Sequence, residues 1–239
     1  DTNSVLPFRM SKFEITRKQF KEILGYDPSD SRYSSSENDP VQNVNWYAAI
    51  VFCNALSLAE GLEPVYAIRK ITKYEEIPQA PDPWWENIGM KRDANGYRLP
   101  SSSEWLWAAL EAQDKKDRSF SGSNGTNKPT EYAIFGYSSF KKDRLEGSKE
   151  SSSPVGSKKS NSIGLHDMSG NVKEWCWDYS ISYISGPLID FYGPNQGKYR
   201  IVQGSSWSTP FNELNLTFID SGYDSFYKDE KIGFRVVRN

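Results

Sequence analysis

The stretch from Gln203 to Asn239 constrains the fold more than any other part of this chain. It opens with Gln203-Gly204-Ser205-Ser206-Trp207 and closes with Ile232-Gly233-Phe234-Arg235-Val236-Val237. Between these ends Leu214, Leu216 and Phe218 alternate with Asn215, Thr217 and Ile219. Apolar residues at period two predict a strand with one face on a core and one in water. The outward set, Asn215, Thr217 and Ile219, is chemically miscellaneous and has no packing purpose. Ser208-Thr209-Pro210-Phe211-Asn212 and the run Ser221 to Tyr227 read as flanking loops that carry aromatics among small polar residues. Aromatic side chains give large contact area at little entropic cost, and small polar neighbours adapt around them. One reading is a recognition surface held between two rigid strands. The other is an ordinary sheet with an uneven surface, since scattered exposed apolar residues are normal.

Length and composition exclude several classes. A chain of 239 residues is large for one domain but buries enough surface to fold without a metal or disulfide. Eight Trp and 14% aromatic content predict a core of large rings. A formal net charge of -2 with no basic stripe argues against nucleic-acid binding. No apolar run approaches the ~20 residues that cross a bilayer. Asp1-Thr2-Asn3-Ser4 shows no signal-peptide pattern, so the expectation is a cytosolic chain or one whose targeting segment has been removed. Cys53 and Cys176, the two cysteines, sit in apolar settings, as two buried thiols or as one disulfide.

Along the chain, Ser11 to Ile15 is predicted as a short strand. Thr16 with Gln19 forms a capping box that opens a helix with Phe20, Ile23 and Leu24 on one face, stopped by Gly25. Tyr26 to Asn43 reads as loop. Asn45 caps a longer helix over about Trp46 to Glu60, ended by Gly61. Tyr66 to Tyr74 is predicted as a strand, and residues 77–88 as a Pro-rich loop pinned by Trp84 and Trp85. Ser101-Ser102-Ser103-Glu104 is a second capping box, whose helix buries Trp105, Leu106, Ala109 and Leu110. Residues 113–162 lose apolar anchors and predict a long surface excursion. Gly164 to Asp178 reads as a tight turn followed by an aromatic strand, and 179–198 as loop. There is no internal repeat.

Several of these pieces occur together in one family. Ile15-Thr16 with Gln19-Phe20, Val44-Asn45-Trp46 with Cys53-Asn54, and Tyr97-Arg98-Leu99-Pro100 with Glu104-Trp105 come first. Gly164-Leu165-His166-Asp167-Met168-Ser169-Gly170-Asn171-Val172 with Glu174-Trp175, then Gly204-Ser205-Ser206-Trp207 and Ile232-Gly233-Phe234-Arg235, follow. In this order they resemble the formylglycine-generating-enzyme, or sulfatase-modifying-factor, branch of the C-type lectin fold. The resemblance spans nearly the whole chain. It implies a single α+β domain over 1–239, irregular, with two main helices and small twisted antiparallel sheets. Enzymes of that family carry two copper-binding cysteines soon after the Gly-Gly-Ser-Trp motif. The corresponding places here are Thr209 and Leu214, which cannot coordinate soft Cu(I) or form a thiolate. A second, iron-dependent enzyme branch uses several His ligands, whereas this chain has one, His166.

What remains is similar to the variable proteins of diversity-generating retroelements, above all the Treponema variable proteins, which are surface lipoproteins of spirochaetes. That resemblance implies a non-enzymatic, surface-displayed binding protein with a lipid anchor on a removed N-terminal segment. Its C-terminal segment, about 201–231, is rewritten while the flanking strands hold shape. The implied ligand site is Ser205, Ser208, Thr209, Phe211, Asn212, Asn215, Thr217, Ile219, Ser221, Tyr223, Ser225, Phe226 and Tyr227, facing a protein or glycan on a host or bacterial surface. No cofactor is required. Asp167, Gly170, Val172 and Glu174 match positions of a family calcium site built from main-chain carbonyls and a carboxylate, with Glu174 pairing to a nearby Arg or Lys as the alternative. The rival functions are an oxidase of the parent family with displaced catalytic residues and a calcium-dependent glycan-binding lectin. Asp178, Asp190, Asp220 and Asp224 show no spacing that separates a catalytic pair from surface charge. Lys141-Lys142 and Lys158-Lys159 read as solvated loop charges.

Overall fold

Local capping chemistry sets the helices of the computed structural model, which describes residues 5–71, 73–113, 117, 119–136, 150–180 and 190–239. Helix α1 (Arg17–Leu24) is opened by the Thr16/Gln19 capping box and closed by Gly25 at φ 80°. Helix α2 (Trp46–Ala59) starts where the Asn45 side chain accepts from the Ala48 N–H. It is buried on every side from Trp46 to Asn54, as expected of a helix that is apolar all round. The loop expected over 77–88 contains one short helix, α3 (Pro83–Glu86), with Pro at its first turn. Helix α4 (Ser102–Ala109) starts at the Ser101/Glu104 box.

The strands are β1 (Arg9–Met10), β2 (Lys173–Tyr179), β3 (Arg200–Gln203), β4 (Asp220–Tyr223), β5 (Ile232–Gly233) and β6 (Val237–Arg238). One sheet has the order β4-β3-β2-β5, and β1 pairs with β6 in a second. The expectation of antiparallel sheets holds for β2–β3, β3–β4 and β1–β6, whereas β5 runs parallel to β2. The larger sheet divides the core. Trp175 and Val202 point to a cluster with α1, α2, Leu99 and Phe234. Cys176 and Ile201 point to a cluster with Trp105, Leu165, Met168 and Leu216. This is the period-two alternation of a strand with apolar partners on both sides.

Three strand expectations fail. The described residues of 11–15 and 66–74 form no strand: Thr16 bridges Pro40 and Tyr66 bridges Met90, each as an isolated pair. Residues 214–219 form no strand either. A 3₁₀ turn at Phe211–Glu213 is followed by irregular chain, and the partner of β3 is Asp220–Tyr223, which had read as loop. Leu106 is only half-buried on α4.

The described part of 113–162 is also more than a surface excursion. Phe120, Ala133, Ile134 and Phe135 are buried, and Leu214 packs with Ala133 and Phe135. Residues 114–116, 118 and 137–149 of that stretch, with Lys141 and Lys142, lie outside the described residues, as do 181–189 of the expected loop 179–198 and Thr72.

Two buried ion pairs explain why the arginine motifs stand out. Arg235 binds Glu174 in two bonds of 2.7 and 2.8 Å, and the Trp105 Nε1–H donates to the same carboxylate at 2.7 Å. Arg98 binds Glu104 through two bonds of 2.7 Å. Bidentate guanidinium–carboxylate pairs satisfy both partners without water.

Candidate ligand-binding surface

The C-terminal segment leaves the core at Trp207 and re-enters at Lys231. Trp207 stacks on Tyr33 with ring centroids 5.1 Å apart, and its Nε1–H donates to the Glu230 carbonyl at 3.3 Å. One side chain therefore closes both ends of the intervening loop. Main-chain bonds tie it further down: Trp207 N–H to the Asn171 carbonyl at 2.7 Å and Gly136 N–H to the Thr209 carbonyl at 2.8 Å. Trp46 N–H donates to the Ser225 carbonyl at 3.0 Å and Asn43 N–H to the Asp229 carbonyl at 2.9 Å. Gly136 has to be glycine, because a Cβ there would lie 2.6 Å from the Ser208 carbonyl oxygen.

Between these ties the residues separate into two groups. Leu214 is buried against Ala133 and Phe135, and Leu216 against Trp105, Met168, Cys176 and Ile201. Phe211, Asn212, Asn215, Thr217, Ile219, Ser221 and Tyr227 are exposed. Phe218, assigned by alternation to the buried face, is 58% exposed, because the chain turns away from the core after Leu216 instead of continuing as a strand. The surface therefore gains a large ring that sequence reasoning missed. Asn215 accepts from the Thr217 N–H and hydroxyl at 2.9 and 2.8 Å, so these two stabilise their own turn.

The remaining members of the expected site are buried or half-buried. Ser205 is buried beside Trp207. Ser225 is buried, with its hydroxyl donating to Glu86 at 3.0 Å and accepting from Arg200 Nε at 3.3 Å. Ser208 and Thr209 are half-buried and bond to Ser206. Tyr223 and Phe226 are half-buried against the α1–α2 cluster, with Tyr223 edge-on to Trp175. No sequence signal told Ser225 and Tyr223 from their exposed neighbours, because their partners Glu86 and Trp175 lie far away in the chain.

At the expected calcium positions the carboxylates are engaged by protein donors. Both Glu174 oxygens are taken by Arg235 and Trp105. The Val172 N–H is turned onto Glu14 at 3.0 Å, and the Asn171 amide donates to the same carboxylate at 2.7 Å. Asp167 accepts from the Gly156 N–H at 2.7 Å. Gly170 meets Ile134 so closely that a Cβ would lie 1.8 Å from its carbonyl oxygen. Burial pushes the carboxyls of Glu14 and Asp167 above their ordinary values. Protein donors and Arg235 hold this turn, and among the described residues no group of three or more His, Cys, Asp and Glu is arranged to hold a metal ion.

The thiols are equally enclosed by protein. Cys53 and Cys176 are both free and fully buried, in separate core clusters. Burial raises both far above an ordinary thiol, so neither supplies a thiolate at neutral pH. His166 packs tilted against Phe13 with ring centroids 4.9 Å apart, and its Nδ1 lies 2.8 Å from the Lys158 carbonyl oxygen. Asp178 is buried and caps α4 through the Ser102 N–H at 2.6 Å, and Asp220 contacts Lys173 and Tyr223. Lys158 and Lys159 reach Thr130 and Glu131.

The model of the sulfatase-modifying factor enzyme 1-like domain matches residues 1–239. The chain is 33% identical over 240 residues to a chaperone protein LppX of Paenibacillus barcinonensis, covering 97% of this chain and 80% of that protein. It is 30% identical over 223 residues to a formylglycine-generating enzyme of Thermomonospora curvata, covering 84% of this chain and 71% of the enzyme. Among solved structures it is similar to Treponema denticola variable protein 1, with a TM-score of 0.87 at 29% identity, over 99% of this chain and 86% of the other.

Proposed function

We propose that this chain, which belongs to the sulfatase-modifying factor enzyme 1-like family, is a non-enzymatic binding protein whose C-terminal segment is diversified to meet different ligands. The observation that carries this reading is the separation within residues 207–231. The loop is clamped at both ends and anchored by Leu214 and Leu216, while Phe211, Asn212, Asn215, Thr217, Phe218, Ile219, Ser221 and Tyr227 face solvent. Structural likeness to a variable protein supports it. So does the chemistry at the two positions where family resemblance implied copper thiolates: Thr209 is engaged with Ser206, and Leu214 is packed inside. A protein named as a chaperone among the relatives also fits binding better than oxidation.

Binding energy would come from the exposed rings and Ile219, whose burial against a partner is worth about 25 cal/mol per Å², with the polar neighbours fixing orientation. Display at a cell surface through a lipid anchor upstream of Asp1, facing a host or bacterial protein or glycan, belongs to the same reading. Among the described residues no helix is long and apolar enough to cross a membrane.

The test is to sequence this gene region from a growing population and related strains. Replacements confined to codons of the exposed positions, with Leu214, Leu216, Ser205 and Ser225 unchanged, are expected. Replacements spread evenly along the gene would refute diversification.

A further inference from the structure

Beyond that surface, a cavity of about 330 Å³ lies between the segment after α3, the end of β2, the loop Tyr192–Gln196 and the start of β3. Its floor holds Arg200, which is 2% exposed. The guanidinium is held between the rings of Trp46 and Tyr179, with its carbon 3.6 and 3.4 Å from their centroids. Nη1 donates to the Trp177 carbonyl at 2.8 Å and Nε to Ser225 Oγ at 3.3 Å. Nη2 has no carboxylate within hydrogen-bond distance: the oxygen it faces, Glu86 Oε2, stands 4.0 Å away, and the Tyr179 hydroxyl is the neutral side-chain oxygen beside the guanidinium. Glu86 is already engaged, accepting from the hydroxyls of Tyr47, Tyr179 and Ser225. A second guanidinium, Arg92, is exposed at the same cavity, 4.6 Å over the Tyr192 ring, with no carboxylate partner among the described residues.

Two guanidiniums without a close carboxylate partner thus share a ring-walled cavity with one carboxylate already engaged by three hydroxyls. A buried guanidinium without a close counter-charge is costly, and desolvation accordingly lowers Arg200 to about 10. Even so it stays charged at neutral pH. A planar anion offering two oxygens in one plane matches the guanidinium fork. The volume is near the lower end of small-ligand pockets, roughly 300–1,000 Å³.

We propose that this cavity binds the carboxylate of a small organic acid, with Arg200 Nη2 and Arg92 as its donors and Tyr179, Tyr192 and Trp177 as its walls. The site is built from scaffold residues. No residue of the 203–231 segment lines it, the buried Ser225 bonding only to Arg200 and Glu86 behind it, so it is a fixed site beside the diversified one and does not depend on that reading.

The test is nitrogen-15 NMR of the arginine side chains in the whole chain, titrated separately with glucuronate, N-acetylglycine, neutral glucose and sulfate. A carboxylate probe is expected to shift the Arg200 signals saturably, while glucose leaves them unmoved. The sugar acid and the amino-acid derivative distinguish the two sources of the group. Arg92→Gln, an exposed change, is expected to weaken carboxylate binding about tenfold, the scale of one charge-assisted bond. Arg200→Lys, which keeps the charge but loses the fork, is expected to weaken it similarly. No saturable carboxylate shift, sulfate binding as tightly as either carboxylate, or unchanged affinity in Arg92→Gln would overturn the proposal. Because the exposed loop positions are absent from the site, exchanging them is expected to leave this titration unaltered.

Discussion

If the exposed residues carry recognition and the buried ones carry shape, stability should respond to them very differently. Consider Leu216→Ala against a five-fold exchange of Asn212→Thr, Asn215→Asp, Thr217→Ser, Ile219→Thr and Ser221→Asn. Leu216 is 3% exposed and sits among Trp105, Met168, Cys176 and Ile201. Removing three buried carbons forfeits about 2.4 kcal/mol of transfer free energy at ~0.8 per methylene. The cavity left behind brings the expected loss to roughly 2–5 kcal/mol. Surface changes lie within about 0.5 kcal/mol each and carry either sign. Asn215→Asp keeps the side-chain oxygen that accepts from the Thr217 N–H and hydroxyl, and Thr217→Ser keeps a hydroxyl to donate, so the one coupled pair in the set retains its bonds. The five together should therefore cost about 1 kcal/mol. In calorimetry, at ~2–4 °C per kcal/mol for a chain of this size, Leu216→Ala should melt about 5–15 °C lower and the five-fold variant within a few degrees of the parent. Urea titration at unchanged slope gives the same comparison as free energy. A five-fold variant less stable than Leu216→Ala would show that the exposed set holds the fold, and the division of roles would fail.

Two further outcomes test the buried charges. Burial raises the Asp178 carboxyl from 3.8 to about 7, so its folded-state value exceeds its unfolded one. Its contribution is fully present below about pH 4 and is lost as pH rises through 7, by about 4 kcal/mol at most. Asp178→Asn keeps an acceptor for the Ser102 N–H, and its stability relative to the parent should rise between pH 5 and pH 8. A variant-to-parent difference that does not change with pH in urea titrations would refute this. Arg235→Met leaves Glu174 buried and unpaired beside Trp105, so it should cost about 3–5 kcal/mol, and a matched Arg235→Met/Glu174→Leu double variant should recover much of that. A loss below about 1 kcal/mol in the single variant would contradict a pair that matters in this way.

Helices α1, α2 and α4 were legible because their start signals are local: Thr16 with Gln19, Asn45 with Ala48, Ser101 with Glu104 all bond within three residues. Strand β2 was legible for a related reason, since its apolar run has core on both faces. The short bridges at Thr16 and Tyr66 were not, because an isolated pair leaves no period in the sequence. Nor was β4, whose Asp-Ser-Gly-Tyr sequence has poor strand propensity and is ordered by β3 beside it. In the candidate site, Leu214 and Leu216 were rightly read as buried, yet toward two different clusters, so their spacing mimicked a strand that does not exist. Ser225 looked like its neighbours because Glu86 and Arg200, which bury it, lie far off in the chain. Glu86, Arg92 and Arg200 carried no motif at all.

The way the loop is tied bears on how much of it is free to change. The bonds from Asn171 to Trp207, Gly136 to Thr209, Trp46 to Ser225 and Asn43 to Asp229 all run between main-chain atoms, and a main-chain bond survives replacement of the side chain it passes. Side-chain identity is then demanded where a side chain is itself spent inside: Trp207 on Tyr33 and Glu230, Leu214, Leu216, Ser225 on Glu86 and Arg200, and in part Tyr223 and Phe226 on the α1–α2 cluster. Thr209 shows the two demands apart. Its carbonyl ties the loop to Gly136, whereas its hydroxyl bonds only the nearby Ser206, accepting from the N–H and lying 3.4 Å from the hydroxyl. Replacing the hydroxyl should thus loosen one turn without releasing the loop. A scaffold held this way permits a new surface without a new fold, because the tolerant positions are those whose side chains perform no internal task.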